Sequence, residues 1–177
     1  MKRYVSSIKN LLVNLEISTN PKIVKIALKI KPNFICIVPE NRKEVTTEGG
    51  LNLRQNLKKI EKIILRFKKK RIRTSLFINP SIKDIKISKK LNVDCIEIHT
   101  GHLANLVKNK KKYFVELDRI KKCSSLANNL GIEVHAGHGL DYKTCKLLSK
   151  INEIKEFNIG HYIIGESIFY GLRSVIN

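Results

Sequence analysis

Short apolar runs rich in β-branched residues alternate along this chain with longer stretches whose apolar positions recur every three or four residues. The runs are LLVNLEI (11–17), FICIVPE (34–40), TSLFINP (74–80), CIEIHTG (95–101), IEVHAGHG (132–139) and FNIGHYI (157–163), and each predicts a strand. Between them, Ile23, Ile26, Ala27 and Ile30 space one helix, and Leu57, Ile60, Ile64 and Phe67 a second. Ile82, Ile85 and Leu91 mark a third, Phe114, Leu117, Ile120 and Leu126 a long fourth, and Leu147, Leu148 and Ile151 a fifth. Ile168, Leu172 and Val175 close the chain. Such alternation predicts parallel strands joined by crossover helices.

The polar exceptions gather near the ends of the runs: Glu16, Glu40, Asn79, Glu97 with His99, His138, and Gly160 with His161. Chemistry at the C-terminal ends of parallel strands is the organisation of a (β/α)8 barrel or an open α/β sheet. No Gly-x-Gly-x-x-Gly follows the first run, so a TIM-type (β/α)8 barrel is the better fit. A closed barrel takes eight strands and at least ~200 residues. Six runs in 177 residues fall short of that. Only a short helical piece (3–12) precedes the first run. The pattern therefore reads as a single α/β domain, 1–177, truncated at its N-terminal side to about six βα units.

Composition narrows the function classes. The formal net charge of +20 invites a polynucleotide partner. The lysines, however, fall mostly on predicted helix faces, without RNA-binding aromatics, zinc-finger spacing or a basic zipper. Nucleic acid is disfavoured, whereas phosphorylated small molecules suit a positive field. No apolar run approaches a membrane span. Lys9, Asn10 and Asn14 interrupt the N-terminal apolar stretch, so a secretory signal is not expected and the cytoplasm is. Cys36, Cys95, Cys123 and Cys145 show no C-x-x-C spacing and read as reduced thiols.

Several positions carry candidate chemistry. Glu16 and Glu97 interrupt apolar strands, where a carboxylate is costly unless it is paired or faces a pocket that tunes it for proton transfer. The alternative is an outward carboxylate paired with a helix lysine. The loop VPENRKEVTTEGG (38–50) offers hydroxyls from Thr46 and Thr47 and free amides from Gly49 and Gly50; it could bind an oxygen-rich ligand or be an ordinary turn. HTGH (99–102) and HAGH (135–138) both read His-x-x-His. In an extended strand i and i+3 point to opposite sides, so neither pair chelates a metal without a turn. An acid/base role for His138 in its glycine loop is at least as good a reading. In NIGHYIIGESIF (158–169), a strand end meets a helix start, a phosphate-binding arrangement often found after the last strands of a barrel.

Taken in order, VPENRKEVTTEGGL, SLFINP, IEIHTG, AGHGLDY and FNIGHYIIG closely resemble the pyridoxine 5′-phosphate synthases of vitamin B6 biosynthesis, from residue 14 to the C-terminus. The resemblance implies a (β/α)8 barrel, a homo-oligomer, and no metal or organic cofactor. It also implies condensation of 3-amino-2-oxopropyl phosphate with 1-deoxy-D-xylulose 5-phosphate. Glu16 would accept a proton, His138 donate one, and Glu97 stabilise developing positive charge. Thr46 would contact the deoxyxylulose phosphate, and Gly139, Gly160 and His161 the aminoketone phosphate. The family's first two strands, with an Asn-x-Asp-His motif, a further histidine and arginines, have no counterpart here. Smaller departures are His135 for the usual asparagine, Asn79 for the usual aspartate, and the Lys-rich stretch 105–113. A non-catalytic phosphometabolite-binding or assembly subunit derived from the family is the alternative reading.

Overall fold

The computed structural model describes residues 11–40 and 49–176. Six strands form one wholly parallel sheet in chain order: β1 (Asn14–Ile17), β2 (Phe34–Ile37), β3 (Arg73–Ile78), β4 (Cys95–His99), β5 (Glu133–Gly137) and β6 (Ile154–Asn158). The helices are α1 (Pro21–Ile30), α2 (Leu53–Lys68), α3 (Ile82–Lys90), α4 (Gly101–Lys108), α5 (Phe114–Asn129), α6 (Tyr142–Leu148), α7 (His161–Tyr170) and α8 (Leu172–Ile176). Each strand pairs with the next, as sequential crossovers require, and among the described residues β1 and β6 have no pairing on their outer sides. One cleft is nevertheless lined from both β1 and β6, so the sheet is curled into a half-barrel rather than flat.

The period of two along each strand sorts the chain into two faces. Ile17, Ile35, Ile37, Leu76, Ile78, Ile96, Ile98, Val134 and Ala136 are buried in the apolar core with Val24 and Ala27 of α1, Ile60, Ile64 and Phe67 of α2, Ile85 of α3 and Ile120 of α5. The alternate positions, on the concave side, carry Glu16, Cys36 and Ser75 in register across β1 to β3, and Phe77, Glu97 and His135 in register across β3 to β5. An apolar convex face and a polar concave face put the stabilising burial on one side and the chemistry on the other.

The elements begin where their sequences dictate. Asn20 accepts from the Lys22 amide at 2.9 Å ahead of Pro21 at the first turn of α1. Asp141 and Thr144 form a reciprocal capping box on α6. The last predicted strand is displaced: the run 157–163 predicts a strand, but β6 is Ile154–Asn158 and His161 opens a helix. Lys155 and Glu156 hide the strand's apolar character. A register shift explains them: consecutive Val134 and His135 partner Ile154 and Glu156, which leaves Lys155 bulged. The closing helical pattern is also split, at Gly171, whose φ of 78° lies in the left-handed region. In α1 the spaced Ile23 and Ile26 are exposed, and Val24 joins the expected Ala27 in carrying the packing. Thr46 and most of the predicted helical piece 3–12 lie outside the described residues. Among the described helices none is long and apolar enough to cross a membrane.

Candidate active site

An open cleft of ≈1170 Å³ lies at the C-terminal ends of the strands. Glu16, Glu97, His138, Gly139, Gly160 and His161 all line it, and so do Phe77, His99, Lys108 and Asn158. Residues spread from β1 to α7 thus converge because parallel strands all end on the same side.

Glu97 is its most deeply placed carboxylate, at 4% exposure. Asn158 Nδ2 donates to its Oε2 at 2.8 Å, and the Cys36 thiol donates to the same oxygen at 3.8 Å. Burial pushes the Glu97 carboxyl up to about 7, helped by the charge of Glu16 and opposed by the two donors. Burial, and then the neighbouring Glu97, push the Cys36 thiol well above its ordinary value, so it stays a neutral donor. The other oxygen, Oε1, lies over Gly137, where an added Cβ would sit 1.9 Å from it. Glu16, by contrast, is exposed toward the open side of the cleft.

The β5 turn aims His138 into the cleft. His138 and Gly139 adopt φ of 76° and 75°, a left-handed pair that a non-glycine residue enters only under constraint. Thr100 supplies that constraint. Its hydroxyl donates to the carbonyls of Gly137 and His138 at 2.8 Å each, and its amide donates to Gly137 at 2.9 Å. The imidazole of His138 stacks on His99, centroids 4.8 Å apart, and Phe77 meets His99 edge-on at 5.2 Å. Both rings lie over Gly101, where a Cβ would come within 2.8 Å of His99 and 2.9 Å of His138. The histidines therefore associate across strands, not within the two His-x-x-His motifs; His102 is exposed on α4.

Gly160 is the N-cap of α7 without a side-chain cap, so the first amides of the helix are left to face the cleft beside His161. Lys108, at the end of α4, adds a cation to the rim. On the β2 side, Gly50 N donates to Asn79 Oδ1 at 2.9 Å and Leu51 N to the Phe77 carbonyl at 2.9 Å, which anchors the loop's return. Asn79 supplies the side-chain oxygen that an aspartate would, so this departure keeps the anchor.

Among the described residues, Cys95, Glu133 and His135 are grouped closely enough to suggest a metal site on the concave face, below the cleft. Arg73 already serves this group: its Nη2 lies 3.3 Å from Cys95 Sγ and 3.2 Å from Glu133 Oε2. His135 Nε2 is 2.9 Å from Glu133 Oε1. Burial raises the Cys95 thiol to about 12, so it is a neutral group beside Arg73. Arg73 and Glu133 form an ion pair to which His135 is hydrogen-bonded, and His135 does not line the cleft. Sequence reasoning missed Asn158, Cys36 and Lys108 as site residues. Only the FN before IGH, where a polar side chain ends an apolar pair, hinted at the first.

Comparison with known proteins follows the same lines. A family model described as "Pyridoxal phosphate biosynthesis protein PdxJ" matches residues 2–177. "Pyridoxine 5'-phosphate synthase" of Pelagibacter ubique is 65% identical over 168 residues, covering 95% of this chain and 70% of that protein. Proteins of the same name from Zymomonas mobilis and Blochmanniella floridana are 44% and 42% identical, covering 93% of this chain and 63% and 66% of their own lengths. The chain thus spans about two thirds of these relatives. Among solved structures, the xylose isomerase domain protein from Planctomyces limnophilus is similar with a TM-score of 0.50 at 12% identity, covering 93% of this chain and 70% of that one; it bears on the fold alone.

Proposed function

The chain belongs to the pyridoxal phosphate biosynthesis protein PdxJ family, and on that premise we propose that it is the larger part of a pyridoxine 5′-phosphate synthase, a transferase built on an N-terminally truncated (β/α)8 barrel. It would condense 3-amino-2-oxopropyl phosphate with 1-deoxy-D-xylulose 5-phosphate to give pyridoxine 5′-phosphate, phosphate and water. What supports this most is the convergence of Glu16, Glu97, His138, Gly139, Gly160 and His161 on one cleft.

Joining an amine to a carbonyl expels water and passes through a cationic nitrogen, so the reaction needs an acceptor, a donor and a counter-charge. Glu16, exposed to the cleft, is the proton acceptor. His138, held in its left-handed turn by Thr100, is the proton donor. Glu97 waits near neutrality because of burial, and a cation formed beside it draws it into the carboxylate form that stabilises the charge. The Gly139 amide and the uncapped start of α7, with Gly160 and His161, hold the aminoketone phosphate; Thr46 serves the other phosphate. The working protein is a homo-oligomer in the cytoplasm.

The test joins the two N-terminal βα units of the Pelagibacter relative ahead of Met1 and measures pyridoxine 5′-phosphate by mass spectrometry. The completed chain should turn over, and Glu16→Gln or His138→Asn should lower kcat by about 10²-fold or more, the usual contribution of a positioned acid or base. Undiminished turnover in both variants would remove the role assignment. The opening of the cleft between β1 and β6 favours one second reading, a phosphometabolite-binding subunit. It would bind phosphate esters without turnover even when completed.

A further inference from the structure

We propose that Asn158 is a positioning residue for the Glu97 carboxyl, seating it together with Cys36 and Gly137. The consequence for turnover rests on the synthase reading above; the geometry does not. Asn158 Nδ2 and the Cys36 thiol both donate to Oε2, at 2.8 and 3.8 Å. Oε1 is left over Gly137, in the space a Cβ would fill at 1.9 Å. Two donors on one oxygen and a missing side chain beneath the other define a single seat.

The bulge in β6 is what brings Asn158 there. With Lys155 unpartnered, Ile154 stays with the convex core beside Val134, while Glu156 and Asn158 fall opposite His135 and Gly137 on the concave face. Without the extra residue, the strand's parity would send Asn158 toward the helices. An asparagine also suits either state of its partner. Its NH2 donates to a carboxylate, and half a turn about χ2 lets its carbonyl accept from a carboxylic acid.

The groups facing Glu97 are Glu16 from β1, Cys36 from β2, His135 from β5 and Glu156 from β6, with Ser75 of β3 the register partner of Cys36. Burial and the two carboxylates raise Glu97, and Asn158 is the first of the influences that lower it. Replacing Asn158 leaves the raising influences less opposed, and an aspartate adds a like charge.

The experiment titrates the 177-residue chain labelled with ¹³C at the glutamate carboxyls, with Glu97 assigned through Glu97→Gln. Asn158→Ala should move the Glu97 midpoint upward by about half a unit and Asn158→Asp by about one unit or more. In the completed enzyme the matching limb of the kcat pH profile should move the same way, with KM within about twofold and kcat lower by about tenfold. Combined with Glu97→Gln, Asn158→Ala should cause no further loss. Should the Asn158 variants not fold, Gly137→Ala is the second probe, because its clash falls on the carboxyl end of the Glu97 side chain and not on backbone. It too should displace the midpoint. An unmoved midpoint in a folded variant overturns the proposal, whatever the activity. A moved midpoint in a completed chain that makes no product supports it while refuting the synthase reading.

Discussion

Glu97 sits where a carboxyl is least at home, inside a sheet whose convex neighbours are isoleucines. Its pKa of about 7 is a statement about stability as well as chemistry. A carboxyl raised in the folded state holds its proton there after the unfolded chain has lost it. Stability from this group is therefore full below the unfolded value near 4.5 and falls as pH rises toward 7. At pH 8 the penalty is about 3 kcal/mol. Glu97→Gln should accordingly raise the urea midpoint at pH 8 and leave it nearly unchanged at pH 4.5. Equal effects at both values would show that the carboxyl is not held neutral by its surroundings. A site residue that weakens the fold at working pH is the expected mark of a group kept for chemistry.

Among the elements, the short ones beside the cleft depend most on local signals. α6 follows the His138 loop directly, and its start rests on Asp141, which accepts from the Thr144 amide at 2.8 Å while Thr144 Oγ1 accepts from the Asp141 amide at 2.8 Å. Asp141→Ala should lower stability by about 1 kcal/mol, read by urea unfolding, and loosen the turn that carries His138. Hydrogen exchange at residues 138–144 should quicken in the variant while β2 and β3 stay protected. β6 illustrates the opposite case, an element decided by partners. Its register comes from β5 and its bulge, not from any apolar run of its own.

At the scale of the whole molecule, among the described residues the curled sheet leaves β1 and β6 unpaired on their outer sides and carries an apolar flank. No residue of α7 is buried; Ile164, Ile168, Phe169 and Tyr170 are exposed, with Leu172 and Ile176 of α8 beside them. Surfaces of this kind drive association. The 177 residues by themselves should scatter light increasingly with concentration, and added salt, which screens the repulsion of the +20 charge, should increase it further. Ile168→Lys with Phe169→Glu should reduce the effect, and joining two N-terminal βα units should reduce it further. Scattering that is unchanged by either would place the association elsewhere.

Much of this was legible along the chain. Alternating periods of two and three to four predict parallel strands and crossover helices, because burying one face of each element leaves a direct imprint on residue order. The positions of Glu16, Glu97, His138 and Gly160 at strand ends were legible for the same reason. Other features belong to the tertiary structure alone. The bulge at Lys155, the stacking of His99 on His138, the ion pair of Arg73 and Glu133 to which His135 is hydrogen-bonded, and the grip of Asn158 and Cys36 on Glu97 all join residues far apart in sequence. Period and spacing report which side a residue faces within its own element. Only the register between strands decides whom it meets there.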